Sequence, residues 1–503
     1  MNYPALLAFV CGFSSLSLEI AWVRLYGFSK LSTPGAFGFV LMAYLLGIAF
    51  GAHFGARACR DNDRYSVLWF YSLSALILSG LMSLILPFLF GWMINAQNLV
   101  FDLLIIGLAS AILAFVFPIA HHLGARQISQ KQGRRLAFVY SSNVMGAALG
   151  PLIMGYFLLE CLSLQQSFWI IGVFQLGAAG VFALFNTEVP WRKQVVGMVF
   201  PLAGALGYFG LGIDPHALIQ EVNQNGRRAA TVIENRHGII TIFSGDNADD
   251  VIFGGNVYDG RTNLDPQKNT NGLERPLLMG ALQPRPQRVL MVGLSIGTWL
   301  ALVREFPGVE EIDVVEINPG YLIAAQAYKP QSMALQDPRV HLVVDDARRW
   351  LRRNPKKQYD LIIMNTTWHW RSNSSLLLSA DFLKLLHSRM AEDAILSFNA
   401  TGSGDAFLTA NHVFGHAYRY GNFIYAADFD FRSRKDAYAA KILYQNLRIQ
   451  GHEVFAPDLV VLNKFLDQPF ITLDAAQNAF QRPFEVITDQ NMITEFKYGR
   501  PLY

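Results

Sequence analysis

The chain has 503 residues, 52% of them hydrophobic and only 16% charged, with a net charge of +3. That near-balance offers nucleic acid no electrostatic footprint, and a charged fraction well below the about 25% of soluble chains places part of the protein in lipid. Its three cysteines, Cys11, Cys59 and Cys161, all lie in or beside apolar runs, which leaves the polar half with neither a disulfide framework nor a Cys-based zinc site.

The shortage of charge is confined to residues 1–213, and residues 214–503 have ordinary globular composition, which argues for separate domains. A membrane span needs about 20 apolar residues. Seven runs meet that length, at 4–23, 34–56, 66–90, 99–120, 137–159, 166–186 and 195–213. The first continues past any small-residue cleavage position, so it reads as a span rather than a signal peptide. Gly47, Gly51 and Gly55 recur at every fourth position, as do Gly146 and Gly150, and such small residues let helix backbones approach in lipid. Glu19 and Arg24 near the end of the first span, and His53 in the second, are transport candidates by their depth. Pairing or snorkelling of Glu19 and Arg24 is the plainer reading. The His121-His122 pair suits an interface better than a metal.

Basic residues set the orientation. Arg57, Arg60, Arg64, Arg126, Lys131, Arg134, Arg135, Arg192 and Lys193 follow the even-numbered spans, against Arg24 and Lys30 on the other side. Positive charge stays inside. The N-terminus is therefore expected in the cytoplasm, and an odd number of spans in the inner or plasma membrane puts residues 214–503 outside. One span more or fewer reverses that.

Beyond the spans, residues 214–287 read as a linker and an antiparallel β-region. TVIENRHGIITIFS (231–244) and VIFGGNVYDG (251–260) alternate, with Gly254-Gly255 and Asp259-Gly260 as turn signals. A helix is expected over 272–282. From 288 onward, buried strands alternate with helices: RVLMVG (288–293), then LSIG and the helix TWLALVREF (298–306), EEIDVVEINP (310–319), RVHLVVDDARRWL (339–351), YDLIIMN (359–365) and AILSFNA (394–400). That alternation predicts an α/β, Rossmann-like domain on a parallel sheet, of the type found in S-adenosylmethionine-dependent methyltransferases.

The strand ends carry the chemistry. Gly293 and Gly297, flanking Ser295, let the backbone pass close beneath a ligand. Glu316 stands about 20 residues on, where an acid accepts ribose hydroxyls. Asp346 suits an adenine amino group, with Asp345 and Ala347 beside it, although Asp before a helix is also a favoured N-cap. The fourth strand runs into Asn365-Thr366-Thr367-Trp368-His369, with no carboxylate.

VLMVGLSIG, DVVEINP, DPRVHLVVDDARRWL and YDLIIMN resemble the spermidine synthases, the polyamine aminopropyltransferases, over roughly 225–420. The apolar N-terminal half resembles the membrane-fused branch of that family. The resemblance implies decarboxylated S-adenosylmethionine as donor and methylthioadenosine as product. It also implies Glu316 on the ribose, Asp346 on the adenine, Tyr258 and Asp259 over the pocket, and a homodimer. Three family acids are replaced: the aspartate that holds the donor ammonium falls on Ile296, and the pair that binds and deprotonates the attacking amine falls on Asn365 and Trp368. Desolvating an ammonium without a carboxylate costs several kcal/mol, and deprotonating it needs a base within reach.

The first expectation is therefore an enzyme that cleaves the ribose–adenine bond of methylthioadenosine, with Glu316, Asp346, Asn365 and His369 as its catalytic set. An aminopropyltransferase with a rearranged acceptor site and His369 as base is the alternative. Methyl transfer from S-adenosylmethionine, and an inactive adenosyl-ligand sensor or transporter module, are two further readings. The expected partners are a nucleoside thioether and the lipid bilayer, with no tightly bound cofactor and no metal. His412 and His416, spaced for one helix face, and Asp428 and Asp430, spaced for one strand face, fit structural roles. His237 belongs to a hairpin turn, and a helix is expected near 437–449.

Overall fold

A computed structural model describes the chain apart from residues 1–2, 63, 95–97, 126–131, 186–190, 224, 247–248, 366, 437–446, 450–451, 454–466 and 503. It divides into two compact units, the first comprising residues 1–228, 234–236 and 502–503 and the second residues 229–233 and 237–501. The boundary expected at 213 therefore moves to 228, because the short helix Ala217–Val222 buries Leu218, Ile219 and Val222 within the first unit. Apart from residues 234–236, the β-region at 229–262 is part of the second unit rather than a linker domain.

Six helices of the first unit are long and apolar enough to cross a membrane: Tyr3–Ser29, Pro34–Asp61, Tyr65–Met93, Leu99–Ala125, Gly133–Cys161 and Leu164–Leu184. The seventh run also forms a helix, Arg192–Gly212, but is not among the six. The glycine repeats explain how the helices meet. A Cβ on Gly47, Gly51 or Gly55 would lie 2.2, 2.1 or 2.2 Å from the carbonyl oxygens of Gly107, Ala111 and Phe115. Likewise, a Cβ on Gly146 or Gly150 would lie 2.2 or 2.4 Å from those of Phe9 and Phe13. Each repeat presses one backbone onto another, and a methyl group would force the pair apart.

In the second unit, strands β1 (Thr231–Asn235), β2 (Gly238–Phe243), β3 (Val251–Gly254) and β4 (Val257–Arg261) form a four-stranded sheet in that order. The main sheet has seven strands: β5 (Arg288–Val292), β6 (Glu311–Glu316), β7 (Val340–Val344), β8 (Tyr359–Met364), β9 (Met390–Asn399), β10 (His416–Tyr420) and β11 (Phe423–Ala427). Their order is β10-β11-β9-β8-β5-β6-β7. Strands β7, β6, β5, β8 and β9 are parallel, whereas β11 runs antiparallel to β9 and β10 antiparallel to β11. The sheet is thus mixed rather than purely parallel, because a tight turn at Gly421 joins β10 to β11 where a crossover helix would have kept the direction. Apolar side chains fill both faces, Leu300, Leu302 and Phe423 in one cluster and Leu351, Phe382 and Phe407 in the other. Burial on both faces is why these strands read as continuous apolar runs.

Candidate functional site

The strand order reverses at β5, with β6 and β7 to one side and β8 and β9 to the other. A crevice opens at the carboxyl ends of strands at such a reversal. Gly293, just past β5, has φ +86°, and a Cβ there would lie 2.8 Å from the Asn365 carbonyl oxygen. The Asn365 amide in turn donates to Val292 at 3.1 Å. Gly293 and Asn365 therefore meet across the crevice, and the glycine makes room for the carbonyl at the end of β8. Gly293→Ala is expected to lower stability by about 2 kcal/mol, from positive-φ strain and the displaced carbonyl, and to weaken adenosyl-ligand binding about tenfold. Thermal unfolding and equilibrium dialysis would read both; a variant matching the wild type in each would disprove the close-approach account.

Glu316, at the end of β6, is buried. Its Oε2 accepts from the Leu294 amide at 2.7 Å and its Oε1 from the Asn318 amide at 2.8 Å. Burial pushes its carboxyl up to about 7 despite those two amides. Each carboxylate oxygen has two lone pairs, so one amide apiece leaves capacity for a ribose diol. The loop between β5 and the helix Thr298–Val303 is tied to it: Ser295 adopts φ +50°, Gly297 φ +83°, and the Ser295 hydroxyl donates to the Asp259 carbonyl at 3.3 Å. A left-handed serine costs about 1 kcal/mol, and such costs gather at ligand-holding turns.

Asp346 is the N-cap of the helix Ala347–Arg353, its Oδ1 accepting from the Arg349 amide at 2.9 Å. Asp345 stands beside it, engaged by the same helix. Its carboxylate accepts from the Asp346 amide at 2.8 Å and pairs with Arg349 and with Arg353 at 3.7 Å. Two guanidiniums one and two turns along the same helix claim it. Ala347 is the buried first residue of that helix.

Past β8, Thr366 lies outside the described residues. The Trp368 and Trp370 rings stand 6.0 Å apart at 32°, with Trp368 partly exposed. His369 Nδ1 lies 2.7 Å from the Thr401 hydroxyl, and burial lowers its pKa, which keeps the imidazole neutral. The Arg371 guanidinium donates to the Thr367 hydroxyl at 2.6 Å. Tyr258 is exposed, edge-on to Phe253 at 6.1 Å. Asp259 is half-buried, and burial raises its pKa against the opposing effect of the Tyr321 and Ser295 hydroxyls. Ile296 sits in an apolar cluster with Ile240, Ile242, Ile252, Ala324 and Ala325, a place where an ammonium would find only hydrocarbon.

Sequence reasoning missed Tyr321 and Thr401. Tyr321 stands five residues past Glu316, in the first turn of the helix Gly320–Gln326, and that offset from a strand-end acid was the available signal. Thr401 had none, because β9 brings it to His369 across 32 residues.

Other expectations are corrected. His412 lies on the helix Gly404–Val413, but His416 begins β10, so the two share no helix face; the chain turns at 414–415 instead. His416 Nδ1 lies 3.2 Å from the Tyr418 hydroxyl. Strand β11 ends at Ala427, before the two acids expected to share its face. Asp428 pairs with His387 at 2.8 Å and Asp430 with Arg432 at 2.6 Å. Most of the helix expected near 437–449 lies outside the described residues, and Arg448–Ile449 is a two-residue strand. Glu311, Asp313 and His341 form an acidic group on β6 and β7. The Lys357 ammonium already fills it, 2.7 and 2.5 Å from the two carboxylates.

Residues 278–415 match the family model of the spermine/spermidine synthase domain. That stretch of the second unit is similar to a spermine/spermidine synthase domain. A polyamine aminopropyltransferase of Mycobacterium tuberculosis (strain CDC 1551 / Oshkosh) is 29% identical over 242 residues, which cover 46% of this chain and 45% of that protein. The chain thus spans about half the length of that relative. Polyamine aminopropyltransferase 1 of Streptomyces coelicolor is 24% identical over 77% of this chain and 73% of its own length, a share that must extend from the synthase domain into the apolar half. The crystal structure of spermidine synthase from Thermotoga maritima aligns with 48% of this chain and 88% of its own at 18% identity, with a TM-score of 0.38.

Proposed function

We propose that the synthase domain is an alkyltransferase using an adenosyl sulfonium donor, in the manner that its relatives' name of aminopropyltransferase describes, with methylthioadenosine as the leaving product. The buried Glu316 carboxylate, held between two amides where the strand order reverses, is the observation that carries this reading. In it, Glu316 accepts the ribose hydroxyls, Asp346 accepts from the adenine amino group with the oxygen not used in capping, and Gly293, Ser295 and Gly297 carry the backbone under the nucleoside. Asn365 and Trp368 border the reacting side chain, and Tyr258 and Asp259 close over it. His369, neutral because burial lowers its pKa, and held at Nδ1 by Thr401, offers Nε2 as base for the acceptor amine.

A second reading keeps the same nucleoside contacts but breaks the ribose–adenine bond of methylthioadenosine. The apolar seat of Ile296 favours it, since methylthioadenosine brings no ammonium that would need an acid there. Incubating the full chain with decarboxylated S-adenosylmethionine, with and without putrescine, and with methylthioadenosine alone separates the two by mass spectrometry. Acceptor-dependent methylthioadenosine is expected. Adenine from methylthioadenosine alone, lost in Asp346→Asn, would favour cleavage instead, and neither product would end both readings.

We also propose that the first unit lies in the bilayer with its basic loops in the cytoplasm, and that the protein forms a homodimer. If Arg192–Gly212 crosses as a seventh span, the synthase domain is outside; if six helices cross, it is inside. A reporter fused after residue 503 decides between them.

A further inference from the structure

The second and third apolar helices leave a groove between them. Pro34–Asp61 packs along Leu99–Ala125 through its glycines, with Gly47, Gly51 and Gly55 facing Gly107, Ala111 and Phe115 in the same order. Those two helices are therefore parallel and end on the same side of the unit. Tyr65–Met93 also packs on Leu99–Ala125, the Tyr71 and Phe115 rings meeting edge-on at 6.3 Å. Among the described residues it scarcely touches Pro34–Asp61. What remains is a cavity of about 540 Å³, open to the side, floored by Ile112 and Phe115 and walled by Phe50 and Phe54 opposite Tyr71 and Leu78. Its lining is almost wholly apolar, and Phe50 and Phe54 are more than half exposed.

Depth and charge identify the occupant. Phe54 and Phe50 stand seven and eleven residues before Asp61, so at about 1.5 Å per residue the cavity runs from about 10 to about 16 Å below the helix end. That is the acyl-chain depth of one leaflet, half of a hydrocarbon core about 30 Å thick. A lipid tail lying there touches three helices, and each side adds dispersion contacts that an empty groove would forfeit. At the same end, Arg57 continues the stripe of Phe50 and Phe54 at helical spacing. Arg64, at the cap of the facing helix, stands seven residues before Tyr71. Arg57 is exposed, and its pair with Asp61 spans 3.6 Å, a surface contact worth little and readily exchanged for a phosphate. The segments joining helices on this side, 57–64 and 126–135, hold seven basic residues against two acids. A neutral headgroup gains nothing from that excess, whereas an anionic one does.

We propose that the first unit holds an anionic phospholipid, with an acyl chain in this groove and the phosphate on Arg57 and Arg64. This rests on the bilayer placement proposed above and names a lipid that the placement supplies.

The full chain, reconstituted in vesicles of equal phosphatidylglycerol and phosphatidylcholine with matched acyl chains, is taken up in mild detergent, and its retained lipid is measured by mass spectrometry. Wild-type protein is expected to keep lipid through purification and to favour phosphatidylglycerol about fivefold, the value of one basic residue at a charged membrane surface. Ser74 lines the groove on the third helix, so Ser74→Trp should fill it and release the lipid. Leu78→Trp, at the exposed edge, repeats the test if the first variant does not fold. Arg57→Gln with Arg64→Gln should keep the lipid but remove the preference. Equal retention of the two lipids by the wild type, a preference that survives the arginine substitutions, or lipid undiminished in a folded tryptophan variant overturns the proposal. Alkaline carbonate extraction of membranes from the expressing cells separates the failures. A chain that stays with the membranes yet retains no lipid loses the groove site alone. A chain released by carbonate ends the bilayer reading and this one with it.

Discussion

Methylthioadenosine binding is expected to weaken about tenfold for each pH unit below 7 and to level off above it. Burial holds the Glu316 carboxyl up at about 7 although the Leu294 and Asn318 amides favour its ionised form. Ribose hydroxyls are donors to that group, so a bound nucleoside favours the carboxylate and lowers its pKa. Below pH 7 the free protein must first give up a proton, and the affinity falls with each unit. The stability effect follows from the same shift. The native pKa is raised from the ordinary 4.5 to about 7, so this group's contribution is fully present below 4.5 and is lost as pH rises through 7. Its size is about 3 kcal/mol.

Glu316→Gln should remove the pH slope and weaken binding about a hundredfold, because an amide NH2 would face a backbone donor and one ribose hydroxyl would lose its acceptor. Asp259 is also held above its usual range by burial, but its titration would survive that substitution, which is how the two acids are told apart. Calorimetric titration from about pH 5.5 to 8.5 measures both. A flat wild-type profile, or a slope that persists in Glu316→Gln, would remove Glu316 from the ribose.

The second large effect lies far from the pocket in sequence. Asp405, at the start of the helix Gly404–Val413, is buried and accepts from Arg482 Nη1 at 2.9 Å, Arg482 Nη2 at 2.5 Å and the Glu485 amide at 2.8 Å. Beside it, a Cβ on Gly404 would fall 2.0 Å from Phe484 Cε1. The tail is held again at Asp489, which pairs with Arg348 at 2.6 Å. It is held once more at Glu495, which accepts from the Asn373 and Ser375 amides at 2.9 and 2.8 Å. Those amides lie two and four residues past Arg371, so the tail braces the loop after β8. Asp405→Ala is expected to cost about 3 kcal/mol, since it strands a guanidinium and a buried amide at once. Asp405→Asn, which still accepts from Glu485, should cost about half as much. Thermal unfolding of the full chain and the rate of tail proteolysis read the loss; a change within about 0.5 kcal/mol, the range of an ordinary surface substitution, would contradict it.

Periodicity and strand-end chemistry were legible because they are local. A buried parallel strand must be apolar throughout, so β5, β6 and β8 announced themselves, and Gly293 and Glu316 stood at fixed offsets from their ends. The glycine repeats of the apolar half were legible for the same reason, since only a missing side chain permits a carbonyl at the distances seen for Gly51 and Gly146. The arginines that engage Asp345 were not legible, because a strand-end acid and an acid one turn before Arg349 look alike until the helix is built. His412 and His416 misled because their spacing suits a helix that ends at Val413.

Length, charge distribution and the order of apolar runs were enough to separate an apolar part of the chain from a polar one, to predict an α/β sheet and to mark the strand ends that border the crevice. Only the tertiary structure decided what surrounds the rest of it. Thr401 reaches His369, in the loop after β8, across 32 residues. The tail from Arg482 to Glu495 reaches back to brace that loop. Such contacts leave no period and no motif, because what brings the residues together is the packing of whole strands and helices, and a side chain's charge balance is set by neighbours that the chain supplies from elsewhere.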